Sequence, residues 1–242
     1  MSLVIGTGIT IGTGISITSE AATSPIVLSG LQLYLDAADV TSYPGSGTIW
    51  YDLSGNDNDV TMQNSGGITY SSGSGGYFAT GSTGWFSRAS GTNLPTGNAF
   101  YTLSVWVQLA SSWNANGFIS IGPFGAGNQS NAFRTTSTNG YVNYWWGNDL
   151  GATSALSPAT QWFNAVAKFD GTTRSIWING VQGGSDTPGS GHNVTTSALQ
   201  VAKTYSGEYL NGKIGQALVY NRALSTAEIQ QNYEATRTRY GV

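Results

Sequence analysis

The chain has 242 residues, a formal charge of −3 and no cysteine, so it can bury one sizeable core but has neither disulfides nor a thiol nucleophile. Charged residues make up only 9%, yet aromatics reach 12%, enough apolar area to offset chain entropy; disorder is excluded, and the surface must be built from Ser, Thr, Asn, Gln and Gly. The basic residues are scattered from Arg88 to Arg239 without forming a stripe, which excludes nucleic acid as a partner.

Residues 1–28 read as an extended Gly/Ile-rich arm. The hexad IGTGIT beginning at Ile5 is followed directly by IGTGIS, and Ile5, Ile9, Ile11, Ile15 and Ile17 all fall on odd positions, one face of a strand. An isolated strand of this kind cannot bury that face. The arm is therefore expected to assemble with copies of the chain or with another protein, the alternative being a fold-back along the edge of its own domain. Its apolar residues alternate with Gly and Thr, so no signal peptide is expected. No stretch approaches the roughly 20 apolar residues that membrane insertion needs.

From Leu31 to Tyr220 short β-runs alternate with turn clusters, which predicts an all-β sandwich or jelly roll. The clearest runs are Leu31–Leu35, Thr102–Leu109, Phe118–Ile121, Gly140–Trp146, Phe163–Phe169, Arg174–Ile178, Leu199–Ala202 and Lys213–Tyr220. In Thr102–Leu109 the apolar Leu103, Val105, Val107 and Leu109 alternate with Thr102, Ser104, Trp106 and Gln108, the pattern of a half-buried strand. AVAKFDGTTRSIWINGV reads as a hairpin with Asp170-Gly171 in its turn and Asn179-Gly180 starting the next. Trp50, Trp106, Trp162 and Trp177 read as sandwich core or its rim. A short helix is predicted over 226–237, with a capping box of Ser225 and Glu228 and a hydrophobic staple of Leu224 and Ile229. Arg237 and Arg239 suit the negative end of its dipole.

Three stretches, LQLYLDAADVTSYPGSGTIWYDLSGND, QWFNAVAKFDGTTRSIWINGV and LNGKIGQALVYNRALSTAEIQQNYEATRTRY, resemble the laminin G-like, concanavalin A-like jelly rolls of bacterial surface proteins and phage virion proteins. The resemblance runs from about Leu31 to Tyr240. It implies a concanavalin A-like antiparallel β-sandwich over residues 29–242, C-terminal helix included, behind the arm. Chains this small with a Gly-rich arm look most like virion structural proteins of tailed phages. That implies a non-enzymatic capsid decoration (cement) or tail component, homo-oligomeric and carried on an extracellular particle with other virion proteins as partners. In many relatives an acidic pair follows the Gly-Lys-Ile of the closing strand and helps hold a structural calcium ion. Here Gly215 and Gln216 stand there, and no cofactor is expected.

Asp36, Asp39, Asp52, Asp57 and Asp59 cluster within two dozen residues, and such a loop can serve calcium or the turn chemistry of Asp itself. Glucanases of this fold carry a strand with two Glu flanking an Asp; no such strand exists here, and the lone His192 reads as a solvated loop residue without an acid nearby. No catalytic residue is therefore assigned. Tyr144, Trp145 and Trp146 are candidates either for core packing or for a platform on which sugars stack, Trp145 and Trp146 pointing to opposite faces of a strand. The rival to the virion reading is thus a glycan-binding adhesin or lectin-like module that recognises a host surface. Clustered exposed aromatics would favour that rival; a flat polar surface, with the arm pairing against a neighbour, would favour the structural role.

Overall fold

The computed structural model describes residues 25–110, 115–137, 140–153 and 160–242. Ile5, Ile9, Ile11, Ile15 and Ile17 of the arm lie outside the described residues. In chain order the strands are β1 Leu31–Asp36, β2 Ile49–Trp50, β3 Val60–Gln63, β4 Thr69–Ser71, β5 Tyr77–Ala79, β6 Trp85–Arg88, β7 Tyr101–Leu109 and β8 Gly117–Ile121. They continue as β9 Asn131–Thr135, β10 Gly140–Tyr144, β11 Asp149–Thr153, β12 Phe163–Phe169, β13 Arg174–Ile178, β14 Val181–Asp186, β15 Leu199–Val201 and β16 Gly212–Tyr220, closed by helix α1, Thr226–Tyr240.

These strands form two antiparallel sheets. The first runs β14-β13-β12-β7-β16-β5-β4, with β1 also pairing β16; the second runs β11-β10-β9-β8-β15-β6-β3-β2. Their inner faces meet in one apolar core, where Leu103, Val105 and Val107 of β7 join Phe118, Ile119 and Phe133 of the second sheet. Each such side chain contributes roughly 1.5–3 kcal/mol by burial, so dozens of them hold the sandwich closed. This is the concanavalin A-like jelly roll expected from the sequence.

Strand β7 departs from the half-buried expectation: of its nine residues only Gln108 escapes full burial. The reason is α1, which lies across the outer face of the first sheet. Trp106 Nε1 donates to Thr236 Oγ1 at 2.8 Å, and its ring stacks on Tyr240 at 4.5 Å and Tyr233 at 5.8 Å. Trp162 packs on Tyr240, and Trp177 lies with Leu224 and Ile229, so of Trp50, Trp106, Trp162 and Trp177 three serve this second interface and Trp50 sits between the sheets. The capping box is present, and both staple residues are buried. The helix runs three residues beyond 237 because Tyr240 docks on the tryptophans and Gly241, at φ 75°, is the first stop. Arg239 is drawn not to the helix end but to Asp36, at 2.9 Å.

Residues 25–28 belong to the same interface. Val27 donates its N–H to Asn232 Oδ1, Tyr220 donates its hydroxyl to the Val27 carbonyl, and Ile26 and Val27 are buried. The turns follow the sequence reading: Asn179 and Gly180 both have positive φ and join β13 to β14 as a two-residue hairpin demands. The Asp170 carboxylate accepts the N–H groups of Thr172 and Thr173.

Candidate functional site

Among the described residues no helix covers the outer face of the second sheet, and its composition differs from a solvated sheet. One row crosses six strands in register: Tyr144, Ala132, Ser120, Gln200, Ser87 and Thr61, on β10, β9, β8, β15, β6 and β3. Their chain neighbours Phe133, Val201 and Phe86 point the other way, into the core, as the period of two requires. The loop joining β15 to β16 folds back over this row, tied down by Glu208. Glu208 Oε2 accepts Tyr144 Oη at 2.8 Å, Thr204 Oγ1 at 2.6 Å and the Tyr205 N–H at 3.2 Å; Oε1 faces Arg134 Nε at 3.4 Å. Burial pushes the Tyr144 hydroxyl above its ordinary range, so it stays protonated as the donor. The Arg134 guanidinium lies over the Tyr144 ring at 4.9 Å.

Around this hub three loops contribute rings. Phe124 follows β8, Trp146 follows β10 and Tyr205 precedes β16; Tyr205 lies 4.6 Å from Trp146 and 5.5 Å from Phe124, and Phe124 lies 6.0 Å from Tyr144. Phe124 and Trp146 are half-buried, and Tyr205 is 40% exposed. Trp146 has φ 69°, a region where a bulky side chain is strained by about 1–3 kcal/mol and which clusters at functional sites. The result is an aromatic patch flanked by a carboxylate and a guanidinium. Such a patch offers ring faces to the apolar sides of a sugar and polar groups to its hydroxyls.

Of the sequence candidates, Tyr144 forms the floor of the patch and Trp146 its wall. Trp145 does not reach the surface: it is fully buried, donates Nε1–H to Tyr101 Oη at 3.0 Å and is enclosed by the His192 ring at 3.8 Å and the Arg174 guanidinium at 4.2 Å. It belongs to the core because it follows the outward-facing Tyr144, and the alternation that puts Val142, Tyr144 and Trp146 outside puts Tyr141 and Trp145 inside. His192 corrects the expectation of a solvated loop residue. It is 4% exposed, with Nε2 against the Ser130 carbonyl at 3.3 Å, and burial lowers its pKa to about 4. The five clustered aspartates perform turn and backbone work. Asp52 accepts from the N–H groups of Tyr34, Ser54 and Asn58, Asp39 from Thr41, Asp59 from Asp52, and Asp57 occupies a left-handed turn at φ 56°. Asp36 accepts from Arg239, from the Ala38 N–H and from Gln216 Nε2, the amide standing where relatives carry an acid. Among the described residues no group of three or more His, Asp or Glu is placed to share a metal ion.

Phe124, Arg134, Tyr205 and Glu208 do not stand out in the sequence. One signal points to Tyr205 and Glu208: in Thr204–Tyr209 two tyrosines and a glutamate flank Gly207, an aromatic-rich turn.

A laminin G family model, described as the concanavalin A-like lectin/glucanases superfamily, matches residues 80–230. The chain belongs to that superfamily. Several solved structures resemble it in fold at low sequence identity. Trypanosoma rangeli sialidase superposes with a TM-score of 0.66 at 14% identity over 90% of this chain, which spans only 36% of the sialidase. Domain 4 of an extracellular arabinanase from Geobacillus stearothermophilus, solved with arabinotriose, gives 0.59 at 16% over 84% of this chain and 98% of that domain. The binding domain of Paraclostridial mosquitocidal protein 1 gives 0.62 at 13% over 85% of this chain and 52% of that one. No curated protein sequence matches the chain.

Proposed function

We propose that this domain is a non-catalytic glycan-binding module that works through the outer face of its second sheet. The observation that carries the reading is the patch of Phe124, Trp146 and Tyr205 around Tyr144, with Glu208 and Arg134 fixed beside it. Clustered, partly exposed rings are the feature that separates an adhesin-like surface from a plain structural one. The arabinanase domain solved with arabinotriose is a neighbour of the same fold, and its size matches this chain. Binding without turnover fits the state of Glu208: one oxygen is held by three donors and the other faces Arg134, which leaves it a positioning group rather than a free acid or nucleophile. The bonds of Asp36 to Gln216 and Arg239 support a reading in which that carboxylate holds no metal.

Trp146→Ala should weaken glycan binding about tenfold, the upper end of what a ring contact contributes beyond burial, with no loss of folded protein. Unchanged binding on a glycan array would overturn the reading.

A second role is favoured by the arm, whose five odd-position isoleucines need a cover. We propose that the arm fixes the domain to a larger particle, as a decoration or tail protein of a phage virion would be fixed, either to other virion proteins or to further copies of the chain. Deleting residues 1–20 should leave a folded domain that binds glycan yet no longer assembles. Normal assembly of the truncated protein would refute this role and leave the glycan site untouched.

A further inference from the structure

We infer that the same face carries a second subsite, built by Trp85, Lys203 and Tyr209, that takes an anionic sugar unit. The inference rests on the glycan-binding reading and adds the charge and minimum length of the ligand.

Trp85 opens β6 and lies two residues from Ser87, so its side chain shares the outer face with the polar row. Lys203 and Tyr209 bridge each other across the loop that carries Tyr205 and Glu208. The Trp85 and Tyr209 rings lie 5.4 Å apart, and Lys203 Nζ sits 4.1 Å from the first and 4.8 Å from the second. All three residues are half-buried, and the ammonium is held at the surface against the two rings.

Lys203 has neither a carboxylate nor a hydrogen-bond acceptor for its ammonium among the described residues. Arg134, Arg174, Arg222, Arg237 and Arg239 each pair with a carboxylate; Arg88 and Lys168 donate to backbone carbonyls. Lys203 has only its two rings among the described residues, although an ammonium carries three donors. Lys213 is alike in lacking an acceptor, but it lies over Tyr77 of the first sheet. The outer face of the second sheet therefore presents one uncompensated cation between two ring faces. That is complementary to a sugar whose ring stacks and whose carboxylate or sulfate meets the ammonium. Between the two ring clusters lie Ser120 Oγ and Gln200 Oε1, buried polar atoms with no partner among the described residues and adjacent across β8 and β15. Lys203 and Tyr205 are two residues apart, hence at most about 7 Å between Cα atoms, the reach of neighbouring units in one chain. The ligand is thus an oligosaccharide of at least two units, one on Trp146 and Tyr205 and an anionic one on Lys203.

The test is calorimetric titration of the full chain with three probes of similar length: an oligogalacturonate, a sulfated dextran oligomer and a neutral malto-oligosaccharide. The expected result is an anionic probe bound about tenfold more tightly than the neutral one at low salt, with the preference shrinking as salt rises. Lys203→Met should bring the affinity for the anionic probes down to that for the neutral one, while Lys203→Arg keeps the preference. Should Lys203→Met fail to fold, the salt dependence of the wild-type preference decides. Tighter binding of the carboxylated or of the sulfated probe identifies which anion the subsite takes, and either supports it. An equal affinity for charged and neutral probes, with Trp146→Ala still weakening both, overturns the subsite alone. Failure of every probe to bind overturns the glycan reading as well.

Discussion

Acidification isolates a single side chain in this protein. His192 is the only histidine, and in the folded state its pKa lies near 4 rather than 6.5 because the ring is buried between Trp145 and the segment at Ser130, with the Arg174 charge close by. Between those two values the unfolded chain binds a proton that the folded chain refuses. Stability is therefore full above pH 6.5 and is lost progressively as pH falls toward 4. Each tenfold difference in proton affinity between the two states is worth about 1.4 kcal/mol, so the loss is about 2 kcal/mol by pH 5 and about 3 kcal/mol by pH 4. The carboxylates held low act in a lower window: Glu228, brought down to about 2 by its bond to Arg222, and Asp39 and Asp170, lowered by local donors, begin to destabilise as pH falls through their ordinary values of 4.5 and 3.8. Urea unfolding at about pH 7.5, 6.5, 6 and 5 thus reads His192 with little contribution from these carboxylates. His192→Phe keeps the stack on Trp145 and should flatten the profile above about pH 5. A wild-type profile already flat between about pH 7 and 5, or a variant that keeps the slope, would refute the argument.

Three further predictions concern the helix side. Trp106→Ala removes the stack on Tyr240 and the bond to Thr236 and should cost about 3–5 kcal/mol by chemical denaturation; a loss below about 1 kcal/mol would mean that α1 does not hold the sheet. Ser225→Ala breaks the capping box and should cost about 1 kcal/mol, visible as a small drop in melting temperature, while Ser225→Asp should restore it. Asp36→Ala strands Arg239 with no carboxylate and should cost about 3 kcal/mol; an unchanged midpoint in urea would show the pair to be dispensable.

Strands with strong apolar patterning are legible in the sequence alone. Phe163–Phe169 and Arg174–Ile178 end where the sequence places them because Asp170-Gly171 and Asn179-Gly180 impose the turns locally. Strands β9, β11 and β14 are not legible. Val181–Asp186 contains two adjacent glycines and little apolar surface, and it is extended because Arg174–Ile178 pairs with it, a cause outside its own residues. The site divides the same way. Tyr144 and Trp146 stand out as a ring cluster, but Glu208 is 64 residues away from Tyr144 and only the fold-back of one loop unites them. The burial of His192 escapes sequence reasoning because its glycine-rich neighbours look like solvent-exposed loop, whereas Asn193 and Val194 pin it inward by backbone bonds to Asn128 and Gly97.

The docking of residues 25–28 beside α1 gives the molecule a front and a back. Pro25 receives a bond from Gln231, and Val242 packs with Tyr240 and the tryptophans, so both ends of the described fold lie on the outer side of the first sheet. The aromatic and cationic groups of the proposed site all lie on the far side of the sandwich. Anything tethered ahead of Pro25 or beyond Val242 would hold the domain by its back and leave the ring-bearing front turned outward. Copies arrayed on a surface in this way would present their sugar contacts in parallel, and weak single contacts of the size expected here would multiply into firm attachment.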